Sequence, residues 1–173
     1  MSKKWNLSWH GAALSGATVI IGIFDGVHRG HQRIIQKALE LNNPVLALTF
    51  DPHPSAIVSP ERKPTELLNL TERIHQLMIN GVSSVAVIEF TKEFSQMSAE
   101  EFIDQILINE LKASAIVVGS NFRFGSRASG NPDLLAARAH CPVIAVDLEA
   151  EIGSPISSTR IREAIVEIGR AHV

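Results

Sequence analysis

A single cysteine among 173 residues, Cys141, excludes any intramolecular disulfide framework. It lies in AHCPVIAV beside an apolar run, where a buried small hydrophobe is the expected role, and a reducing, cytoplasmic setting fits. Basic excess is missing as well. The 16 Lys and Arg against 18 Asp and Glu leave a formal net charge of -2, with a sequence pI near 6.4. Lys and Arg are scattered rather than clustered, so nucleic acid is not an expected partner. No apolar run approaches the roughly 20 residues that cross a bilayer. The opening MSKKWNLSW lacks the apolar region of a signal peptide, so no membrane is expected either. No cluster of His, Cys and Asp is suited to a zinc site, and no permanent metal is expected. Internal repeats, low-complexity segments and obvious linkers are also missing.

What is present is a regular alternation. TVIIGIF (18–24), PVLALTF (44–50), SVAVIEF (84–90), AIVVG (115–119) and PVIAVD (142–147) are nearly continuous apolar runs, as expected of parallel strands covered on both faces. Between them, GHQRIIQKALEL sets Ile34, Ile35, Ala38 and Leu41 on one helical stripe. Ser98 and Glu101 are spaced as a capping box at the start of a helix through SAEEFIDQILINEL, and TERIHQLMING closes on Gly81. Asn131 and Pro132 read as the cap and first residue of a helix to Arg138, and SSTRIREAIVEI as a final helix capped by Ser157 or Ser158. These elements predict a doubly wound, five-stranded parallel α/β sheet, Rossmann-like, in a single domain of residues 1–173. Ligands bind such sheets outside the carboxyl ends of the strands, near the point where strand order reverses.

The polar residues that follow the strands are the candidate site. GIFDGVHRGH (22–31) carries Asp25, His28 and His31 on a glycine-hinged turn between the first strand and its helix. Free N–H groups and the helix dipole favour an anion there, and His28 and His31 are three apart, on one face of a first helical turn. Two long connections reach the same rim: the one containing TFDPHP after the second strand, and SNFRFGSRASG after the fourth.

His28-Arg29-Gly30-His31 matches the HxGH signature of the nucleotidyltransferase superfamily. The longer GIFDGVHRGHQ, with TFDPHP (49–54), VVGSNFRFG (117–125) and PISSTRIRE (155–163) in order behind it, is similar to the adenylyltransferase module of the prokaryotic bifunctional riboflavin kinase and FMN adenylyltransferase family. The resemblance implies transfer of AMP from ATP to FMN, giving FAD and pyrophosphate. It implies that His28 and His31 contact the triphosphate, with Arg160 or Arg162 as the cation, Arg162 lying on the face of Thr159. Gly22, Ile23, Phe24, Asp25 and Gly30 would line the nucleotide site from one side, and Ser157, Ser158 and Thr159 would close it from the other. Asn121, Phe122, Arg123 and Phe124 would border the flavin, one of the two phenylalanines pinning the loop to the core, and His53 would border the flavin or a phosphate. Asp25 either helps to hold the Mg²⁺ of ATP or caps its own turn. Relatives continue into a riboflavin kinase barrel, which is expected to be absent here. Two other readings stay open at this stage: an HxGH nucleotidyltransferase acting on a different phosphorylated small molecule, or a non-catalytic ATP- and flavin-binding protein.

Overall fold

The computed structural model describes residues 5–27, 29–62 and 68–148. Its centre is one six-stranded sheet built from β1 (Leu7–His10), β2 (Thr18–Ile21), β3 (Val45–Asp51), β4 (Ser84–Glu89), β5 (Ala115–Gly119) and β6 (Val143–Val146), in the order β1-β4-β3-β2-β5-β6. The last five are mutually parallel, and they correspond to the five predicted strands. The sixth, β1, is an antiparallel edge strand pairing Leu7 with Ile88 and His10 with Val85. It is four residues long and only partly buried, so it lacks the continuous apolar run by which the interior strands announce themselves. Its neighbour holds it in place: the Ser84 hydroxyl donates to His10 O at 3.1 Å and Ala12 O at 2.6 Å.

Alternate residues of the parallel strands feed two cores, because successive side chains leave a strand on opposite faces. On one face Ile20, Val45, Ala47, Val85, Val87 and Val117 pack with Ile34, Ile35 and Ala38 of α1 (Arg29–Leu39). Leu77 of α3 (Leu70–Ile79) completes that layer. On the other face Val19, Ile21, Leu46, Leu48, Ile116 and Val118 meet Phe102, Ile103, Ile106 and Leu107, together with Leu135 of α6 (Pro132–Arg138). Burial on both faces is the reason every one of these strands reads as apolar throughout.

The predicted end signals are seen. Ser98 and Glu101 form both bonds of a capping box at the start of α5 (Ala99–Glu101), Gly81 follows Asn80 at the end of α3, and Asn131 caps α6 with Pro132 first. Past α5 the chain winds more widely than predicted: Phe102–Glu110 is π-helical, and Leu111 N donates to Ile106 O at 2.9 Å. The buried residues Phe102, Ile103, Ile106, Leu107 and Leu111 recur at intervals of four and five, which a helix bonded i to i+5 gathers on one side. The predicted strand 18–24 ends at Ile21; Gly22 N still reaches Leu48 O at 3.1 Å, and then the left-handed φ of Phe24 (56°) turns the chain away. No helix among the described residues is long and apolar enough to cross a membrane. The expected final helix over SSTRIREAIVEI falls outside the described residues.

Candidate active site

Strand order reverses between β2 and β5: from β2 the chain moves outward to β3 and β4, then returns to lay β5 on the other side of β2. Because β2 and β5 are adjacent and parallel, the loops that follow them leave the sheet side by side at the same edge. That is the crevice at which open α/β sheets take ligands.

The loop after β2 is built around a buried aromatic ring. An ideal Cβ on Gly22 would lie 3.2 Å from the ring of Phe24, so the missing side chain is what lets Phe24 fold back over the end of its own strand. Phe24 is fully buried, and its ring meets the His31 imidazole edge-on, with centroids 5.2 Å apart and an interplanar angle of 73°. His31, the third residue of α1, is thereby steadied at the helix's first turn. Gln32 Nε2 donates back to Val27 O at 3.2 Å, joining the helix to the loop that leads into it.

The same loop is fastened from behind. Ile23 O accepts from Thr49 Oγ1 at 3.1 Å and from Arg73 Nη1 at 2.9 Å. The Asp25 side chain, 3% exposed, accepts from Leu68 N at 2.9 Å through Oδ1. That bond ties the loop to the segment that enters α3.

After β3, the Asp51–Pro52 peptide is cis, and His53 caps the short α2 (Pro54–Val58), its Nδ1 accepting from Ser55 N at 3.0 Å. A ring that accepts at Nδ1 carries its proton on Nε2, so the capping bond fixes the tautomer. After β5, Asn121 and Arg123 are exposed, Arg123 Nη1 donating to Phe122 O at 2.8 Å. Phe122 and Phe124 stack at 5.4 Å and 15°. Phe124 is buried against Phe102 and exchanges backbone hydrogen bonds with Gly130 at 2.8 and 3.2 Å, so it is the phenylalanine that pins the loop. Phe122 is the one left half-buried at the surface.

The sheet therefore brings Gly22, Ile23, Phe24, Asp25, Gly30, His31, His53 and Asn121 through Phe124 to its carboxyl edge. His28, Ser157, Ser158, Thr159, Arg160 and Arg162 fall outside the described residues. One contributor was not anticipated: Arg73 of α3, a charged side chain only 5% exposed. Its signal was available in the sequence, because Arg73 stands three residues after Leu70 and four before the buried Leu77, in register with the apolar stripe of its helix. A charge at such a position needs buried partners.

A five-stranded parallel order with its reversal beside a helix start defines a doubly wound α/β protein. The model of the family described as FAD synthetase matches residues 11–160, and the chain belongs to that family. It is 38% identical over 162 residues to the bifunctional riboflavin kinase/FMN adenylyltransferase of Haemophilus influenzae, covering 88% of this chain and 52% of that protein. The proteins of that name from Listeria monocytogenes and Escherichia coli K12 are 36% and 32% identical, over 85% and 90% of this chain and 49% and 52% of theirs. The chain thus spans about half the length of the curated relatives it matches. A crystal structure described as a macrolide-efflux protein from Streptococcus pneumoniae superposes with a TM-score of 0.77 at 29% identity, covering 89% of this chain and 53% of that one.

Proposed function

We propose that the chain is an FMN adenylyltransferase, which transfers AMP from ATP to FMN and releases FAD and pyrophosphate. The observation that carries this reading is His31, the second histidine of the HxGH signature, set on the first turn of α1 at the strand-order reversal and steadied there by the Phe24 ring. Membership of the FAD synthetase family and the NFRFG loop on the adjacent strand favour FMN over another phosphorylated acceptor.

In the reaction an oxygen of the FMN phosphate attacks the α-phosphorus of ATP. One P–O bond forms there as the bond to the bridging α–β oxygen breaks, and pyrophosphate takes the electron pair. Such a transfer needs alignment and stabilisation of spreading negative charge, not a covalent protein intermediate. The first-turn N–H groups of α1 and the His31 imidazole meet the triphosphate, His28 joins them, and the SSTRIR segment with Arg160 and Arg162 completes the grip. Asn121 and Arg123 offer an amide and a guanidinium to the flavin or its phosphate, and Phe122 an aromatic face. Mg²⁺ bound to ATP would screen the charge of its phosphates. The bond from Leu68 N to Asp25 Oδ1 favours a loop-holding role for this buried carboxylate over a part in holding the metal.

Incubation of the protein with Mg-ATP and FMN, followed by chromatography, should yield FAD. His31→Ala and His28→Ala should each reduce turnover by about 10²–10³-fold, the range for removing one charge-stabilising donor, with the circular dichroism spectrum unchanged. Undiminished FAD formation in both variants refutes these roles. Pyrophosphate release with other phosphorylated acceptors but not FMN identifies a sibling enzyme. Binding of ATP and FMN with no pyrophosphate identifies a non-catalytic protein.

A further inference from the structure

We propose that Arg73 is a positioning residue for this reaction, holding the loop that leads to the histidine turn and the loop that leads to His53 in one fixed relation. The proposal rests on the adenylyltransferase reading. Arg73 comes from neither loop. It projects from α3, and its guanidinium donates to Ile23 O through Nη1 at 2.9 Å and to Phe50 O through Nη2 at 3.3 Å, with Nη2 3.7 Å from Asp51 Oδ1. Ile23 immediately precedes the left-handed Phe24, whose ring meets His31. Phe50 lies three residues before His53, the cap of α2. One buried side chain therefore spans the ends of β2 and β3 and sets the start of both loops.

The chemistry of the fork explains why this link is rigid. A guanidinium presents its donors in a fixed plane, so two carbonyls bound to it cannot drift independently, whereas an ammonium is a point donor on a flexible stem. Ile23 O also accepts from Thr49 Oγ1, which occupies both of its lone pairs and leaves that peptide no freedom to rotate. An apolar side chain of similar length keeps the packing of the stem but takes away two donors: Ile23 O still accepts from Thr49, while Phe50 O loses its bond from the guanidinium, at a cost in stability. The ion pair with the half-exposed Asp51 is the weaker element, and the two carbonyl bonds carry the connection.

The test compares Arg73→Met and Arg73→Lys with the wild type by melting temperature, by kcat and KM for both substrates, and by the ring-proton NMR signals of the histidines. Met is expected to fold, with a melting temperature lowered by about 2–12 °C, and to lower kcat at a temperature where it is fully folded by about 10–100-fold, since a displacement of about 1 Å at a reacting group costs that order. Lys, restoring one bond of the two, should fall between them. The His31 and His53 signals should move in Met while His10, on the far edge strand, stays in place. Unchanged kcat, or unmoved His31 and His53 signals, in a folded Met variant overturns the proposal. A wild type that makes no FAD refutes the proposed function instead, and the NMR comparison still decides whether Arg73 sets the two loops.

Discussion

Replacing Gly125 by alanine tests whether the loop bearing Asn121 and Arg123 is fixed by its own backbone or by what it rests on. Gly125 has φ 77° and ψ 174°, a conformation essentially confined to glycine, and another residue held there costs about 1–3 kcal/mol. Its surroundings add a second cost: an ideal Cβ would stand 2.7 Å from both Cα and N of Ala99. Those are backbone atoms of the first turn of α5, locked by the Ser98–Glu101 capping box, so they cannot yield as a side-chain tip would. Overpacking of this kind costs about 1–3 kcal/mol. The sum, about 2–6 kcal/mol, is a large part of the roughly 5–15 kcal/mol that stabilises a domain. Gly16 is the control, with a similar φ of 80° and nothing within 4 Å of its ideal Cβ. Gly16→Ala should therefore show the backbone term alone, about 1–2 kcal/mol. Urea unfolding followed by tryptophan fluorescence reads the difference. With slopes of about 1–3 kcal/mol per M, a 4 kcal/mol loss lowers the midpoint by about 1–4 M. If the loop lifts away instead, it breaks the 2.8 Å bond from Ser126 N to Met97 O. Global stability would then hold while KM for FMN rises. Equal midpoints for the two alanine variants, together with an unchanged KM for FMN, would refute the reasoning.

Asn121→Ala and Arg123→Ala are expected to raise KM for FMN about 10-fold, the loss of a single hydrogen bond to a charged or polar group, with little change in KM for ATP; steady-state kinetics with each substrate varied in turn decides it. Asp104 and Arg138 make a two-pronged pair at 3.0 and 2.7 Å that ties the π-helical segment to α6. The hydrogen bond from Arg138 holds the Asp104 carboxyl below its ordinary value of 3.8. Its contribution to stability is thus complete above that value and is lost as the pH falls through the lowered one. Both groups are exposed, so Asp104→Asn should lower the melting temperature only slightly at neutral pH, and the gap to wild type should close in acid and in high salt.

The layout of the fold was legible because burial on both faces writes itself into sequence as unbroken apolar strands, and the caps at Ser98, Asn131 and Gly81 depend only on neighbours within a few residues. What escaped was whatever tertiary structure alone decides. The edge strand β1 is half-solvated and has little apolar signal to show, and the winding of Phe102–Glu110 depends on which backbone hydrogen bonds form once the segment is packed. At the site, the strand-end position of His31, Asn121 and Arg123 followed from the alternation of strands and helices. The ring of Phe24 under His31, the tether from Asp25 to Leu68 and the reach of Arg73 did not, because each joins residues that only the folded sheet places together.

Phe24 and Val27 are non-glycine residues with φ of 56° and 38° in the loop that leads into α1. Within the loop one turn bond joins them, from Val27 N to Phe24 O at 3.4 Å, and such strain persists only where the surroundings over-determine it. Here the surroundings are specific: Thr49 and Arg73 on Ile23 O, Leu68 N on Asp25 and Gln32 on Val27 O, with the Phe24 ring enclosed in the core. The loop's shape is therefore held by β3, α1, α3 and the segment entering α3, together with its own Gly22 and the turn bond from Val27 N to Phe24 O. On the proposed function, an anion at the first turn of α1 would spend little of its binding energy on ordering the loop. The same dependence means that substitution of Arg73, away from the reacting atoms, should register in turnover as well as in stability.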